Sequence, residues 1–200
     1  MSEPASNART QAKANRRAIL LTSAATLFAQ RGFNGVSIED LGAAAGVSGP
    51  AVYRHFSSKQ ALLGALLVGV SEDLLLGGRE VLERNLDAGT ALRELVSFHV
   101  DFALGKPDVI RVQDRDLDAL SPADLRQVRL LQRGYVELWV EVLGTLFPAR
   151  DAVLRRLQAH AIFGLINSTP HSVHLQGGRF GAVAARPTLE AMAWAGLTGV

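Results

Sequence analysis

The sequence predicts an all-α fold of about nine helices, and three observations carry that reading. Apolar residues recur at helical spacing along nearly the whole chain, and no stretch shows sustained period-two alternation. Helix-start and helix-stop residues also follow one another closely, three starts falling within about twenty residues. No internal repeat is present. With 200 residues, 48% of them apolar and 20% charged, the chain can bury a sizeable core.

Leu20, Ala24, Leu27 and Phe28 follow an i, i+4, i+7, i+8 spacing, which predicts a helix over Asn15–Gln30 that Gly32 stops. The polar stretch before it, residues 1–13, reads as a flexible basic arm. Ser37 and Asp40 resemble a capping box opening a short helix with Ile38, Leu41 and Ala45 on its buried side. Gly46 ends that helix, because glycine takes the left-handed conformation at little cost.

Ser48 is placed to cap the next helix, Ala51–Phe56, with Pro50 tolerated in its first turn. Ser57 and Gln60 form another Ser-x-x-Gln box, which starts a longer helix with an interruption expected at Gly77 and Gly78. Helical faces continue through Leu92, Leu95, Val96, His99 and Phe102, then through Leu125, Val128, Leu131, Tyr135, Leu138 and Val142. Ser121-Pro122 starts the second of these and Pro148 marks its end. A further helix precedes Pro170, "QGGRFGAVAARPT" reads as a loop, and "LEAMAWAGLTGV" as a closing helix.

The chain has no cysteine, which excludes disulfides, thiolate metal sites and a thiol nucleophile and makes a cytoplasmic location the default expectation. The longest run of apolar residues and glycine, Ala61–Val70, is about half of the roughly 20 residues that a membrane span needs, and the N-terminus lacks the pattern of a secretion signal. No membrane partner is expected. The net charge of +2 is uneven: residues 1–59 hold seven Lys or Arg against three acids, and the rest hold fourteen against sixteen. A basic N-terminal third on a near-neutral body is the footprint of a protein that meets a polyanion with that third alone. A solvated arm with no partner is the alternative on charge alone.

Two short helices joined by "AGVS" form a helix-turn-helix over residues 37–56, in which the first helix braces the second and the second is narrow enough to enter a major groove. Val47, Val52 and Phe56 fall on one face, leaving Tyr53, Arg54, His55 and Lys59 to project toward phosphate oxygens or base edges. Ser37 and Ser48, at helix starts, add uncharged phosphate anchors. Tyr53 as a packed aromatic and His55 as a plain surface residue are the alternatives.

The segment "RRAILLTSAATLFAQRGFNGVSIEDLGAAAGVSGPAVYRHFSSKQALL" resembles the DNA-binding domain of TetR/AcrR-family transcriptional regulators over about residues 14–74, and "GVSxxxVYRHFxSKxxLL" is its specific part. The resemblance implies a ligand-responsive dimer that binds a double-stranded, pseudo-palindromic DNA operator, more commonly as a repressor. It also implies a three-helix headpiece over 14–74 and a C-terminal domain over 75–200 that binds a small-molecule effector and forms the homodimer. By position, Tyr53, His55 and Lys59 match phosphate-holding residues, and Ser37 and Ser48 match helix starts. Gly49, Pro50, Ala51 and Arg54 occupy the slots that read bases. Since Gly49 and Pro50 carry no side-chain donor, readout falls to Arg54, with Ala51 against a thymine methyl, and to DNA shape.

In the C-terminal part, Phe98, His99, Phe102, Arg115, Tyr135, Trp139, Phe163 and Asn167 are candidates to line an effector pocket, because ligand sites are mostly apolar with a few polar anchors. Ordinary core is the alternative for each aromatic, and an ion pair with Asp114, Asp116 or Asp118 is the alternative for Arg115. The composition favours an acyl-thioester, lipid-like or aromatic effector. No enzyme and no cofactor are expected: "GVSGP" is one residue short of a nucleophile elbow and lacks its strand, "GGRFG" follows no strand, and a phosphate-binding Gly-x-x-x-x-Gly-Lys loop is missing. The remaining enzyme reading is a small metal-dependent one using His160, His171 and His174. No metal is expected, since no thiol or carboxylate beside them completes a site.

Overall fold

The computed structural model describes residues 3–172 and 182–199. Within them the helices are α1 (Glu3–Arg31), α2 (Ile38–Ala44), α3 (Gly49–Val52), α4 (Lys59–Glu83), α5 (Ala88–Gly105), α6 (Pro107–Asp116), α7 (Pro122–Leu146), α8 (Ala152–Asn167), α9 (Thr169–Ser172) and α10 (Ala182–Thr198), with a 3₁₀ turn at Leu117–Ala119. No strand occurs among the described residues, so the all-α expectation holds.

The chain divides into two compact units, residues 1–68 with 111–126, and residues 69–110 with 127–200. This differs from the partition at residue 74, because the N-terminal unit also includes the end of α6 and the turn after it, where Val112, Asp116 and Leu120 are buried. In that unit Leu20, Ala24, Phe28, Ile38, Leu41, Val52, Phe56, Leu62 and Leu63 form the buried stripe of α1 to α4. Full burial of a side chain such as Phe28 contributes about 1.5–3 kcal/mol.

Several local expectations change. Backbone assigned to the flexible arm belongs to α1, which begins at Glu3. The run "SNARTQAKANRR" contains neither proline nor glycine, so nothing in it stops the helix from extending back. The helix starting at Ser48 runs Gly49–Val52 and then tightens into a turn, with Arg54 and His55 donating to the carbonyls of Ala51 and Val52. Ser48 is the N-cap by position but its side chain makes no capping hydrogen bond. The cap of α4 is Ser58 rather than Ser57: its hydroxyl oxygen accepts from the amide of Ala61 at 3.0 Å.

α4 is not interrupted at Gly77 and Gly78. A Cβ at Gly77 would overlap the Phe98 ring and one at Gly78 would lie 2.8 Å from Tyr135, so both glycines serve close helix packing in the C-terminal unit. α4 is long and apolar enough to cross a membrane by length and composition, but half of that stretch is buried within the protein, as in a core helix.

α10 begins at Ala182, inside the stretch expected as a loop, and passes through Pro187. That proline removes one amide near the start of the helix, while Arg186 ties the segment to α5 through Asp101 and through Ser97 Oγ at 3.0 Å. In the C-terminal unit α10 packs on α5 and α8, bringing Ala193 and Leu197 into one core with Leu92, Trp139 and Ile162.

Candidate functional site

The helix-turn-helix rests on two features of α2. At its start Ser37 and Asp40 form a complete capping box: Asp40 N–H donates to Ser37 Oγ at 3.0 Å, and Ser37 N–H donates to Asp40 Oδ2 at 2.9 Å. These bonds hold the Asp40 carboxyl below its ordinary range, Arg31 helping weakly. Ser37 Oγ also donates to Asp40 Oδ2 at 2.7 Å, so its hydroxyl both donates and accepts within the cap.

At the other end the chain reverses through Gly46 at φ 69°, a left-handed conformation that disfavours any Cβ. Gly42 lies inside the reversal. A Cβ there would be 2.8 Å from the carbonyl oxygen of Val47 and 3.0 Å from the amide nitrogen of Gly49, so the close contact of α2 and α3 requires a glycine.

On the recognition segment Val52 and Phe56 are buried, while Ser48, Pro50, Tyr53 and Arg54 are exposed. Pro50 on α3 and Tyr53 and Arg54 on the turn that follows it thus present the proline ring, the phenol and the guanidinium to solvent. Tyr53 is 55% exposed. Gly49 and Ala51 are half-buried, and a Cβ at Gly49 would meet the Glu39 carboxylate at 3.4 Å. His55 is half-buried too, and its Nδ1 is buried with no hydrogen-bond partner among the described residues, so the ring packs more than it projects.

Lys59, expected to grip phosphate, instead donates to the carbonyls of Phe33 at 2.8 Å and Val36 at 2.7 Å, with its ammonium 4.4 Å from the Phe33 ring centroid. It pins the turn between α1 and α2, leaving one of three N–H donors. Arg16 donates to the Ala45 carbonyl at 3.3 Å and Arg17 lies over Phe56 at 4.8 Å. Part of the basic character of this third of the chain is therefore scaffold.

In the C-terminal unit the expected effector residues separate. Phe98, His99 and Phe102 of α5, Tyr135 and Trp139 of α7 and Phe163 of α8 form one ring cluster. Phe163 packs at a tilt against His99 at 4.6 Å, stacks on Tyr135 at 5.5 Å, and stands edge-on to Trp139 at 4.9 Å. Tyr135 Oη and His99 Nδ1 are 3.3 Å apart. Burial drops the His99 imidazole to about 4, the Asn167 amide beside it opposing, and burial also pushes the Tyr135 hydroxyl up. His99 Nε2, Trp139 Nε1 and Asn167 Oδ1 are buried and make no hydrogen bond of ordinary geometry among the described residues, although Asn167 lies beside His99 and Trp139 beside Tyr135.

Arg115 does not join this cluster. It belongs to the N-terminal unit, where it donates to the carbonyls of Phe28 and Ala29 and pairs with Asp116 at 3.2 Å. The last carbonyls of α1 and the buried carboxylate of Asp116 together draw the guanidinium there.

Two family descriptions match the chain, bacterial regulatory proteins of the tetR family over residues 20–66 and the tetracyclin repressor-like C-terminal domain over residues 85–171. The chain belongs to the TetR family of bacterial transcriptional regulators. Among curated relatives it is similar to the transcriptional repressor KstR2 of Rhodococcus jostii, 31% identical over 67% of this chain and 66% of that protein. It is also similar to the transcriptional activator FasR of Mycolicibacterium smegmatis, 37% identical over 44% of this chain and 40% of that protein. The chain thus spans between two fifths and two thirds of the curated relatives it matches.

Among solved structures it shares its fold with a TetR-family regulator of Bordetella parapertussis, with a TM-score of 0.78, 24% identity, and 92% and 96% of the two chains covered. The fold is shared too with FadR of Bacillus subtilis in complex with stearoyl-CoA, at TM-score 0.69, 17% identity, and 91% and 98% coverage. AibR in complex with isovaleryl coenzyme A and operator DNA gives 0.70, 19%, and 88% and 97%.

TetR-family proteins are transcription regulators and not enzymes, which sets aside the metal-enzyme reading. His160 packs its ring edge-on against Phe163 at 6.5 Å, His171 is exposed, and His174 lies outside the described residues. No cluster of three or more His, Cys, Asp or Glu that could hold a metal occurs among the described residues. Sequence reasoning missed Gly42 and the Arg115 strap. A glycine inside an otherwise helical run was the available signal for the first, and nothing local signals the second, whose partner carbonyls are 86 and 87 residues away.

Proposed function

We propose that this TetR-family chain is a regulator that binds a pseudo-palindromic DNA operator as a homodimer and releases it when an acyl-CoA-class effector enters the C-terminal unit. The observation that carries the DNA-binding half is the exposed face formed by Pro50, Tyr53 and Arg54 on a segment held by buried Val52 and Phe56. Tyr53 donates to a phosphate oxygen. Arg54 is the donor for base edges, and the lack of side-chain donors at Gly49 and Pro50 shifts selectivity toward DNA shape.

The effector half is supported by chemistry at the ring cluster. Buried His99 Nε2, Trp139 Nε1 and Asn167 Oδ1, none in a well-formed hydrogen bond among the described residues, lie among apolar rings and suit a ligand with a long apolar body and one polar group. The FadR and AibR complexes hold stearoyl-CoA and isovaleryl coenzyme A on the same fold. Neutral His99 and un-ionised Tyr135 fit an uncharged acyl group better than a carboxylate.

The homodimer reading rests on α8 and α10, which pack side by side and leave Val153 72%, Leu157 63% and Met192 50% exposed, beside exposed Ala161, Gly164 and Ala195. Apolar and small residues on adjacent helices allow a second copy to pack closely. Repression is the preferred mode.

The deciding experiment selects bound sequences from random DNA and then titrates acyl-CoA thioesters into the protein–operator complex. A two-fold symmetric site released by micromolar acyl-CoA is expected. Absence of any selected site, or release by polar metabolites and not by thioesters, would refute the respective half.

A further inference from the structure

On the C-terminal unit a groove of about 560 Å³ runs between α7 and α8, and its lining is cationic. Three arginines, Arg129, Arg133 and Arg156, line it with a single carboxylate, Glu137, and with Gln132 and His160. Glu137 is already matched: Arg156 Nε donates to Oε1 at 2.9 Å and Nη2 to Oε2 at 2.8 Å, a two-pronged ion pair. The excess charge is therefore that of Arg129 and Arg133.

These two arginines stand at i and i+4 on one helix, an arrangement in which like charges repel and destabilise the helix. Among the described residues no carboxylate pairs with either, although Glu137 is itself at i+4 from Arg133 and bonds to Arg156 instead. Such a pair is expected where an anion is to be bound between the guanidinium forks, each offering planar donors matched to phosphate oxygens. Gln132 adds an amide donor to the same groove.

The groove also has a place relative to the ring cluster. Its wall residue Val136 follows Tyr135 in α7, and its His160 touches Phe163 edge-on. The same helix pair thus carries aromatic rings on one side and unmatched cations on the other.

We propose that Arg129 and Arg133, with Gln132, form a binding site for phosphate groups, and that its occupant is the phosphorylated nucleotide end of the acyl-CoA effector. This rests on the effector reading above and adds to it where the charged end of the molecule is held.

The test is calorimetric titration of the full chain with coenzyme A alone, a saturated acyl-CoA series, ADP and inorganic phosphate, each at two salt concentrations. For the wild type, coenzyme A without an acyl chain is expected to bind measurably and salt-sensitively. Arg129→Ala/Arg133→Ala is expected to weaken coenzyme A and acyl-CoA alike by at least tenfold and to flatten the salt dependence. Arg129→Lys/Arg133→Lys keeps part of the affinity, Arg79→Ala changes nothing, and an unchanged melting temperature verifies the fold.

Equal acyl-CoA affinity in the wild type and the double alanine variant overturns the groove assignment and leaves the effector reading intact. Coenzyme A binding that needs the two arginines, with no gain from any acyl chain, supports the groove and removes the acyl effector. ADP or inorganic phosphate binding as tightly as coenzyme A overturns the nucleotide end of this effector as occupant. Loss of the dimer in the double variant without a change in thioester affinity overturns the proposal in favour of a contact between copies.

Discussion

The guanidinium of Arg115 donates to the backbone carbonyl of Phe28, closing the C-terminal end of α1 from a residue 87 positions away. A second N–H reaches Ala29 O at 3.4 Å, and the same group pairs with Asp116, whose side chain is only 9% exposed. Removing the guanidinium leaves both helix-end carbonyls and a largely buried carboxylate without their cation. Arg115→Ala is expected to lower stability by about 2 kcal/mol, discounted from the value for a buried pair because Arg115 itself is 46% exposed. Urea unfolding of Arg115→Ala with and without Asp116→Asn measures it: the asparagine should recover part of the loss, and additive effects would refute the coupling.

Gly42→Ala is expected to disrupt the helix-turn-helix, although alanine is the better helix former by roughly 1 kcal/mol. The added methyl would meet backbone atoms of Val47, Ser48 and Gly49, none of which can rotate away as a side chain would. We expect operator affinity to fall at least tenfold, with a loss of stability of about 1–3 kcal/mol. Gel-shift and thermal unfolding measure the two. An alanine variant that is more stable and binds normally would show that the turn relaxes freely.

The difference between Gly42 and Gly46 explains how much of the head was legible. Gly46 ends an amphipathic pattern and announces its left-handed turn locally, as the Ser37–Asp40 box announces a helix start. Gly42 looks like a weak helix residue until the chain folds back over it. The exposure of Tyr53 and Arg54 followed from burying Val52 and Phe56 opposite, whereas His55 and Lys59, expected to project with them, are half-buried. The fate of Lys59 did not, because an ammonium one residue into a helix serves a phosphate or a carbonyl equally well on sequence alone. The ring cluster assembled from three helices because aromatic residues at helical spacing share faces, whereas Arg115 went to a partner that spacing cannot reveal.

His99 makes stability depend on pH in a definite direction. Its imidazole ordinarily titrates near 6.5 and in the folded protein only at about 4, because burial opposes the charge. Between those values the unfolded chain binds a proton that the folded chain does not, so stability falls as pH drops through that window. The full effect is about 3 kcal/mol. Unfolding free energies at pH 7 and pH 5 should differ in the wild type, and His99→Gln should remove much of that difference. An equal slope in the variant would place the pH dependence elsewhere.

The two cations nearest the recognition segment should respond differently to removal. Lys59→Ala deprives the Phe33 and Val36 carbonyls of a shared charged donor and the Phe33 ring of its cation, so we expect a loss of about 1–2 kcal/mol in stability. Its effect on DNA affinity should follow from that loosened turn. Arg54 is exposed and free to meet DNA, so Arg54→Ala should leave the melting temperature unchanged. Operator affinity should drop by about 1–3 kcal/mol with relaxed preference at one base pair if Arg54 reads a base edge. If it holds a phosphate, affinity falls evenly across sequences and the salt slope decreases by about one. Melting curves and salt-dependent binding of both variants to operator and non-operator DNA separate these outcomes. A destabilised Arg54→Ala alongside a fully stable Lys59→Ala would reverse the roles assigned to the two side chains.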